Sequence, residues 1–244
     1  MFLKYFWNFE SEIPEGAGFS MYGAGHLFML LILVISSISL GEIYRRKETE
    51  SRRSFERIFG LILLLLEILY NLRLILTGHM GVYVLPLHLC AISVFICVFG
   101  CFTGSSFVKQ YMYYIGAPGA LSALLFPDWV HYPLLNYYSL LSFTIHGMLV
   151  IYTYTQLRSK KFKPDLKGLI KSLLVLILIA VPIYFFNRRF SANYLFLMRP
   201  SPGSILVLLW DLAGDRGYLF SLLGLIILVE LILYVPWLFK EHFL

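Results

Sequence analysis

The sequence predicts an all-α, polytopic membrane helix bundle, and three observations carry that prediction. Of its 244 residues, 59% are hydrophobic and 14% charged, against about 45–50% and about 25% in an ordinary soluble domain. The apolar residues gather into long runs, such as 61–66 and 173–182, set in stretches long enough for the roughly 20 residues that a bilayer span needs. Short segments of alternating polarity, the mark of a membrane barrel, are missing, and backbone groups denied water are expected to pair within helices.

Seven transmembrane helices are expected, at about 23–44, 57–77, 84–102, 108–127, 133–157, 168–186 and 217–238, in a single domain over 1–244. The first follows an acidic segment carrying Glu10, Glu12 and Glu15, in which nothing reads as a cleaved signal. The second is built on the run 61–66. The third begins near Pro86, a residue tolerated at a helix entrance. Gly116, Pro118 and Gly119 interrupt the fourth, and Pro182 the sixth, with no evident repeat. The fifth carries Ser139, Ser142 and His146 on one stripe. Between the sixth and seventh lies the long segment 187–216. Its apolar piece 205–210, announced by Pro200, Pro202, Gly203 and Ser204, reads as a short re-entrant or surface helix.

Charge sets the expected orientation. Arg45, Arg46, Lys47, Arg52, Arg53 and Arg57 follow the first span, and Arg158, Lys160, Lys161, Lys163, Lys167 and Lys171 surround the link between the fifth and sixth. With seven spans both clusters, and Lys109 and Lys240, fall on one side, and the positive-inside rule makes it cytoplasmic. The N-terminus is then outside, the C-terminus inside, and the chain a multi-pass protein of the cytoplasmic membrane. The net charge of +6 is thereby used in orienting the spans, and no nucleic-acid partner is implied.

Ionisable groups inside spans are functional candidates by default. The candidates are His26, Glu67, Arg73, His88, Cys90 and His146, with the polar Asn71, and the topology places most of them in the outer half of the bundle, around one polar pocket. Glu67 and Asn71 stand at i, i+4 on one helix face. A thiol becomes a strong nucleophile as thiolate, and an imidazole can take its proton. On a regular helix His88 and Cys90 point about 160° apart, so His146, from another span, is the better partner for Cys90. The plainer reading is a small apolar cysteine and histidines bonded between helices. Cys97 and Cys101 extend the stripe of Cys90, and no disulfide framework is implied. The outer segment carries Arg188, Arg189, Arg199 and Arg216 and no lysine. Together with Arg73 these suit a lipid phosphate, or simply ordinary headgroups and the pairing of Asp211 and Asp215. No HExxH, CxxC, Walker or dinucleotide motif appears, so neither a metal nor a cofactor is expected, although haem between two of His26, His88 and His146 is compatible with the sequence.

The segment Leu85-Pro86-Leu87-His88-Leu89-Cys90, with Gly116-Ala117-Pro118-Gly119-Ala120, Phe126-Pro127-Asp128, His146, Asn193 and Pro200, resembles the YwaF-like bacterial membrane proteins and their eukaryotic relative, transmembrane protein 164. The resemblance spans most of the chain. It implies a lipid acyltransferase or transacylase, or with water as acceptor a lipid-ester hydrolase, with Cys90 as nucleophile, His146 as general base and His88 orienting the site. His26, Glu67, Asn71, Arg73, Asn193 and Arg199 are the expected substrate-binding residues, and a phospholipid or lysophospholipid the expected partner. The alternative is a transporter or lipid-binding receptor whose same polar residues line a ligand path without covalent chemistry.

Overall fold

The computed structural model describes residues 4–160 and 162–240. Residues 1–3 of the acidic N-terminal segment, Lys161 of the basic link and the side chain of Lys240 lie outside that description. Among the described residues the chain forms seven helices, the last of them broken by a kink. These are α1 (Ala24–Arg46), α2 (Thr49–Leu76), α3 (Leu89–Thr103), α4 (Ser106–Tyr111, Met112–Gly116 and Ala117–Leu125 in unbroken succession), α5 (Tyr137–Arg158), α6 (Leu166–Phe190) and α7 (Ile205–Lys240). Four of them, α1, α2, α6 and α7, are long and apolar enough to cross a bilayer, while α3 is apolar but shorter.

The helix ends explain the departures from expectation. α2 begins eight residues before the expected span, at Thr49, because the charged stretch before its apolar run is itself helical and closes the link to α1. Arg52 donates from Nε to the Tyr44 carbonyl (3.1 Å) and from Nη2 to that of Arg45 (2.6 Å), satisfying carbonyls left over at the end of α1. α3 starts at Leu89 instead of near 84. Pro86 has no N–H to give and biases Leu85 toward extended backbone, so 84–88 enters as a loop with His88 as the extended N-cap residue. α3 ends on Gly104 at φ 70°, a left-handed cap.

In α4, Pro118 would drive its ring against the carbonyl of Tyr114 in a regular helix. The five-residue π stretch Met112–Gly116 widens the turn at that point and lets the helix continue. α7 breaks at Gly214 (φ 63°, ψ −179°), so its first part is a separate short helix, as the apolar piece 205–210 suggested.

Successive helices run in opposite directions. At one end Arg158 pairs with Glu42, and the Glu56 carboxylate accepts from Tyr44 (2.6 Å) and Gln156 (2.9 Å). There too Gln110 donates to Asp165 (3.1 Å), so the α1–α2, α3–α4 and α5–α6 links cluster. At the other end Asn136 donates to the carbonyl of Tyr5 (2.6 Å), Phe19 to that of Tyr132 (3.3 Å) and His26 to that of Leu124 (2.8 Å). α5 is the axis of the bundle, with residues buried around most of its circumference.

Outside and inside are exchanged relative to a soluble protein. Leu178, Leu212 and Phe220 are each more than 70% exposed, while Glu56, Glu67, Gln156, Asn187 and Glu230 are buried. So much outward apolar surface requires a hydrocarbon environment. The apolar core, including Leu63, Val94, Cys97, Cys101, Met112 and Leu149, joins α2 to α5. Close approach there depends on Gly60, where an added Cβ would lie 2.7 Å from that of Cys101, whereas Gly224 faces open space. Gly60→Ala is therefore expected to destabilise the protein by about 1–3 kcal/mol. Gly224→Ala should leave the unfolding temperature in detergent unchanged or slightly raised, and thermal unfolding followed by circular dichroism checks both.

Candidate functional site

A cavity of about 500 Å³ opens between α2, α3, α4 and α5 and is closed from the side by α6, the 195–206 loop and α7. Its volume falls within the range of small-molecule sites, about 300–1,000 Å³. Cys90, His88, His146, Glu67 and Asn71 all line it. Five of the nine residues singled out from the sequence are thus brought together from three helices.

Cys90 is half-buried and is the second residue of α3. The first-turn N–H groups of a helix have no partner within it and carry the positive end of the dipole, which favours an anion beside them. The expected opposition of His88 and Cys90 assumed that both sit in a regular helix. His88 instead precedes the helix at φ −70°, ψ 152°, and both residues line the cavity. The imidazole of His88 packs edge-on against Tyr194 (4.9 Å between centroids) and against Phe196 (5.4 Å).

The loop that presents these two residues is pinned by one buried side chain. The Tyr194 hydroxyl accepts from the Leu85 N–H (2.7 Å) and donates to the Val82 carbonyl (2.7 Å). Asn187 in turn fixes Tyr194, accepting from its N–H (2.9 Å) and donating to its carbonyl (2.8 Å). The end of α6 thereby sets the entrance of α3.

His146 projects from the middle of α5. Its Nδ1 lies 2.7 Å from the Ser142 carbonyl, and its ring stacks on Trp129 at 5.2 Å and 22°. A carbonyl only accepts, so Nδ1 carries the hydrogen and Nε2 is the basic nitrogen of the neutral ring. On α2, Asn71 donates from Nδ2 to the Glu67 carboxylate (3.0 Å) and to its backbone carbonyl (2.8 Å), fixing the two as a polar wall.

The other four candidates stand outside the lining. His26 is fully buried, accepts at Nδ1 from the Tyr22 N–H (2.9 Å) and donates from Nε2 to Leu124, tying the start of α1 to the end of α4. Asn193 accepts from the N–H groups of Met198 (3.0 Å) and Arg199 (3.1 Å) and donates to the Arg199 carbonyl (3.0 Å), so it shapes its own loop. Arg199 is exposed. Arg73 belongs to a neighbouring cavity. Conversely, Tyr70, Tyr138 and Trp129 line the main cavity without having been singled out. Tyr70 stands three residues after Glu67 and Tyr138 four before Ser142, so extending the two polar stripes by one turn reaches both. Trp129 sits in a loop, where no periodicity marks it. Among the described residues no group of three or more His, Cys, Asp or Glu is arranged to hold a metal ion.

The fold and this cavity define a polytopic helical membrane protein with an internal chamber lined by a thiol and imidazoles. A sequence model of the TMEM164 family matches residues 21–234, so the chain belongs to that family. No curated protein and no solved structure matches it.

If Tyr194 sets the mouth of α3, Tyr194→Phe leaves the Leu85 N–H and the Val82 carbonyl, both part-buried, without their partner. A loss of about 0.5–1.5 kcal/mol in stability is expected. Cys90 should also react faster with maleimide in the folded protein, an acceleration that Tyr218→Phe should not reproduce.

Proposed function

We propose that the protein is a membrane lipid acyltransferase or transacylase in which Cys90 is the nucleophile and His146 the general base. The observation that carries this reading is that Cys90, at a helix N-terminus, and His146, with its Nδ1 committed to a carbonyl, line one cavity. Apolar walls such as Leu89, Ile115, Leu141 and Leu176 suit an acyl chain and exclude water from the reacting centre.

In this mechanism Nε2 of His146 takes the Cys90 proton and the thiolate attacks the carbonyl carbon of a lipid ester. The developing oxyanion faces the N–H groups of the first turn of α3, with His88 beside them. Collapse breaks the ester C–O bond. The imidazolium returns its proton to the departing alkoxide, leaving a lysolipid and a thioester on Cys90. A lysophospholipid hydroxyl, deprotonated by His146, then attacks the thioester, and the thiolate leaves. With water as acceptor the same steps amount to hydrolysis. Glu67 and Asn71 supply the polar wall against which the ester is oriented.

All seven helices are proposed to cross the cytoplasmic membrane, N-terminus outside and C-terminus inside. Alternating helix directions support this, as does the gathering of Arg45, Arg46, Arg52, Arg53 and Arg158 at the end that carries the α1–α2 and α5–α6 links. The chamber then opens toward the outer leaflet.

The test is acyl transfer to a short-chain lysophospholipid added to sealed vesicles and followed by mass spectrometry. Right-side-out vesicles should acylate it and inverted vesicles should not. Cys90→Ser and His146→Ala should each lower the rate by about 10²-fold or more. Unchanged rates in both folded variants overturn the mechanism, and lipid that binds without being altered favours a transporter or receptor.

A further inference from the structure

One buried carboxyl takes no part in the chemistry proposed for the chamber. Glu230, in the longer second part of α7, has no exposed surface, and among the described residues neither of its carboxyl oxygens has a hydrogen-bond partner. Glu56 and Glu67, the other buried glutamates, are both bonded. Among the described residues no ion pair reaches Glu230. The titratable groups that meet in this region are Tyr113 and Tyr114 of the π stretch of α4, Tyr234 one turn further along α7, and Asp165 at the start of α6. Lys167 and Lys171 of α6 are exposed. An ionised carboxylate taken out of water with neither partner nor counter-charge is strongly unfavourable, so a carboxyl packed in this way holds its proton.

The surrounding stretch of α7 is a wall of the chamber. Hydrogen bonds tie the helix to its neighbours at two levels. The Tyr218 hydroxyl donates to the Phe196 carbonyl (2.9 Å), while the Tyr113 hydroxyl donates to the Leu233 carbonyl (2.9 Å) and accepts from Nε1 of Trp237 (3.0 Å). Between these ties, over 219–232, Glu230 is the one ionisable residue, and Leu222, Leu225, Ile226 and Val229 line the cavity. A route for a proton is present as well. Tyr114 lies within electrostatic reach of Glu230, and its hydroxyl donates to the carbonyl of Asp165 (3.2 Å), an exposed residue at the end that carries the α5–α6 link. A phenol hydroxyl both donates and accepts, so it can pass a proton between a buried carboxyl and water at that end.

We propose that Glu230 is a proton-binding site within the membrane, exchanging with the Asp165 end of the bundle through Tyr114, and that its proton holds α7 closed as the side wall of the chamber. With the proton bound, the neutral acid packs among its apolar neighbours. When the proton passes to water the carboxylate must be hydrated, and the 219–232 stretch draws away from the bundle to let water reach it. Ile226 and Val229, one turn and one residue before Glu230, move with it, so the chamber opens on that side. The inference stands apart from the chemistry at Cys90, and no step of its test needs acyl transfer.

The first readout is the infrared difference spectrum between the full chain and its Glu230→Gln variant in lipid nanodiscs. The parent should show a carboxylic-acid carbonyl band that the variant lacks, that shifts in deuterium oxide and that fades as the pH is raised. In Tyr114→Phe the band should remain, but its shift after transfer to deuterium oxide should be slower. The second readout is maleimide labelling of Leu225→Cys, with the three native cysteines replaced by alanine, relative to the lipid-facing Leu178→Cys in the same background. This ratio should rise severalfold from mildly acidic to mildly alkaline pH, and should stay level when Glu230→Gln is added. Glutamine keeps the shape of the neutral acid, and circular dichroism checks that the variant folds. A missing band, a deuterium shift unchanged by Tyr114→Phe, a level ratio in the parent, or an equal rise with Glu230→Gln overturns the proposal.

Discussion

A bilayer core offers no water to bond with, and this chain carries more polar groups than a span can hide unless they turn inward and find each other. The organisation of the bundle follows from that constraint. Glu56 is met by Tyr44 and Gln156 from two other helices, Glu67 by Asn71 on its own, and Asn187 by the backbone of Tyr194. Because α5 gives polar residues to several neighbours at once, it becomes the buried axis, while α1, α2 and α6 turn leucine and isoleucine outward. The chamber is the place where these inward polar faces fail to close on one another. Cys90 and His146 stand on its wall for the same reason that Glu67 does.

The chamber has its geometry imposed from outside. Tyr194 holds the strand-like entry to α3, and with it His88 and the first turn that carries Cys90. The π stretch of α4 lets Pro118 and Gly119 face the same space. At the end that carries the start of α1, the N-terminal segment is bound to α5 through Asn136 and to α2 through Arg73, so that end is built by residues distant in sequence. The proposed chemistry requires a fixed nucleophile and a fixed imidazole in a site from which water is kept, and these ties are what would hold them.

The helices themselves were legible in the sequence, because runs of leucine and isoleucine have few other uses at such length, and the TMEM164 family match accords with the motif around Cys90. Their ends were less so. Charged residues from Thr49 onward continue α2 because Arg52 and Glu56 find partners on α1 and α5, which no local pattern reveals. The entry to α3 depends on Tyr194, more than a hundred residues away. Cys90, His88, His146, Glu67 and Asn71 were found as polar residues within apolar stretches, and they share a cavity. His26 met the same criterion, yet both its ring nitrogens are used in joining α1 to α4. A polar residue in a span therefore marks an inward face, and only its partners tell whether it closes a joint or faces a space.

The central claim is covalent: an acyl group rests on Cys90. Intact-mass analysis of the purified protein after incubation with phospholipid tests it most directly. The account predicts an added acyl mass that hydroxylamine removes, that Cys90→Ser abolishes and that His146→Ala fails to form or to turn over. Phospholipid retained by the protein with no mass added to the chain, across lipids of varied chain and headgroup, would contradict it.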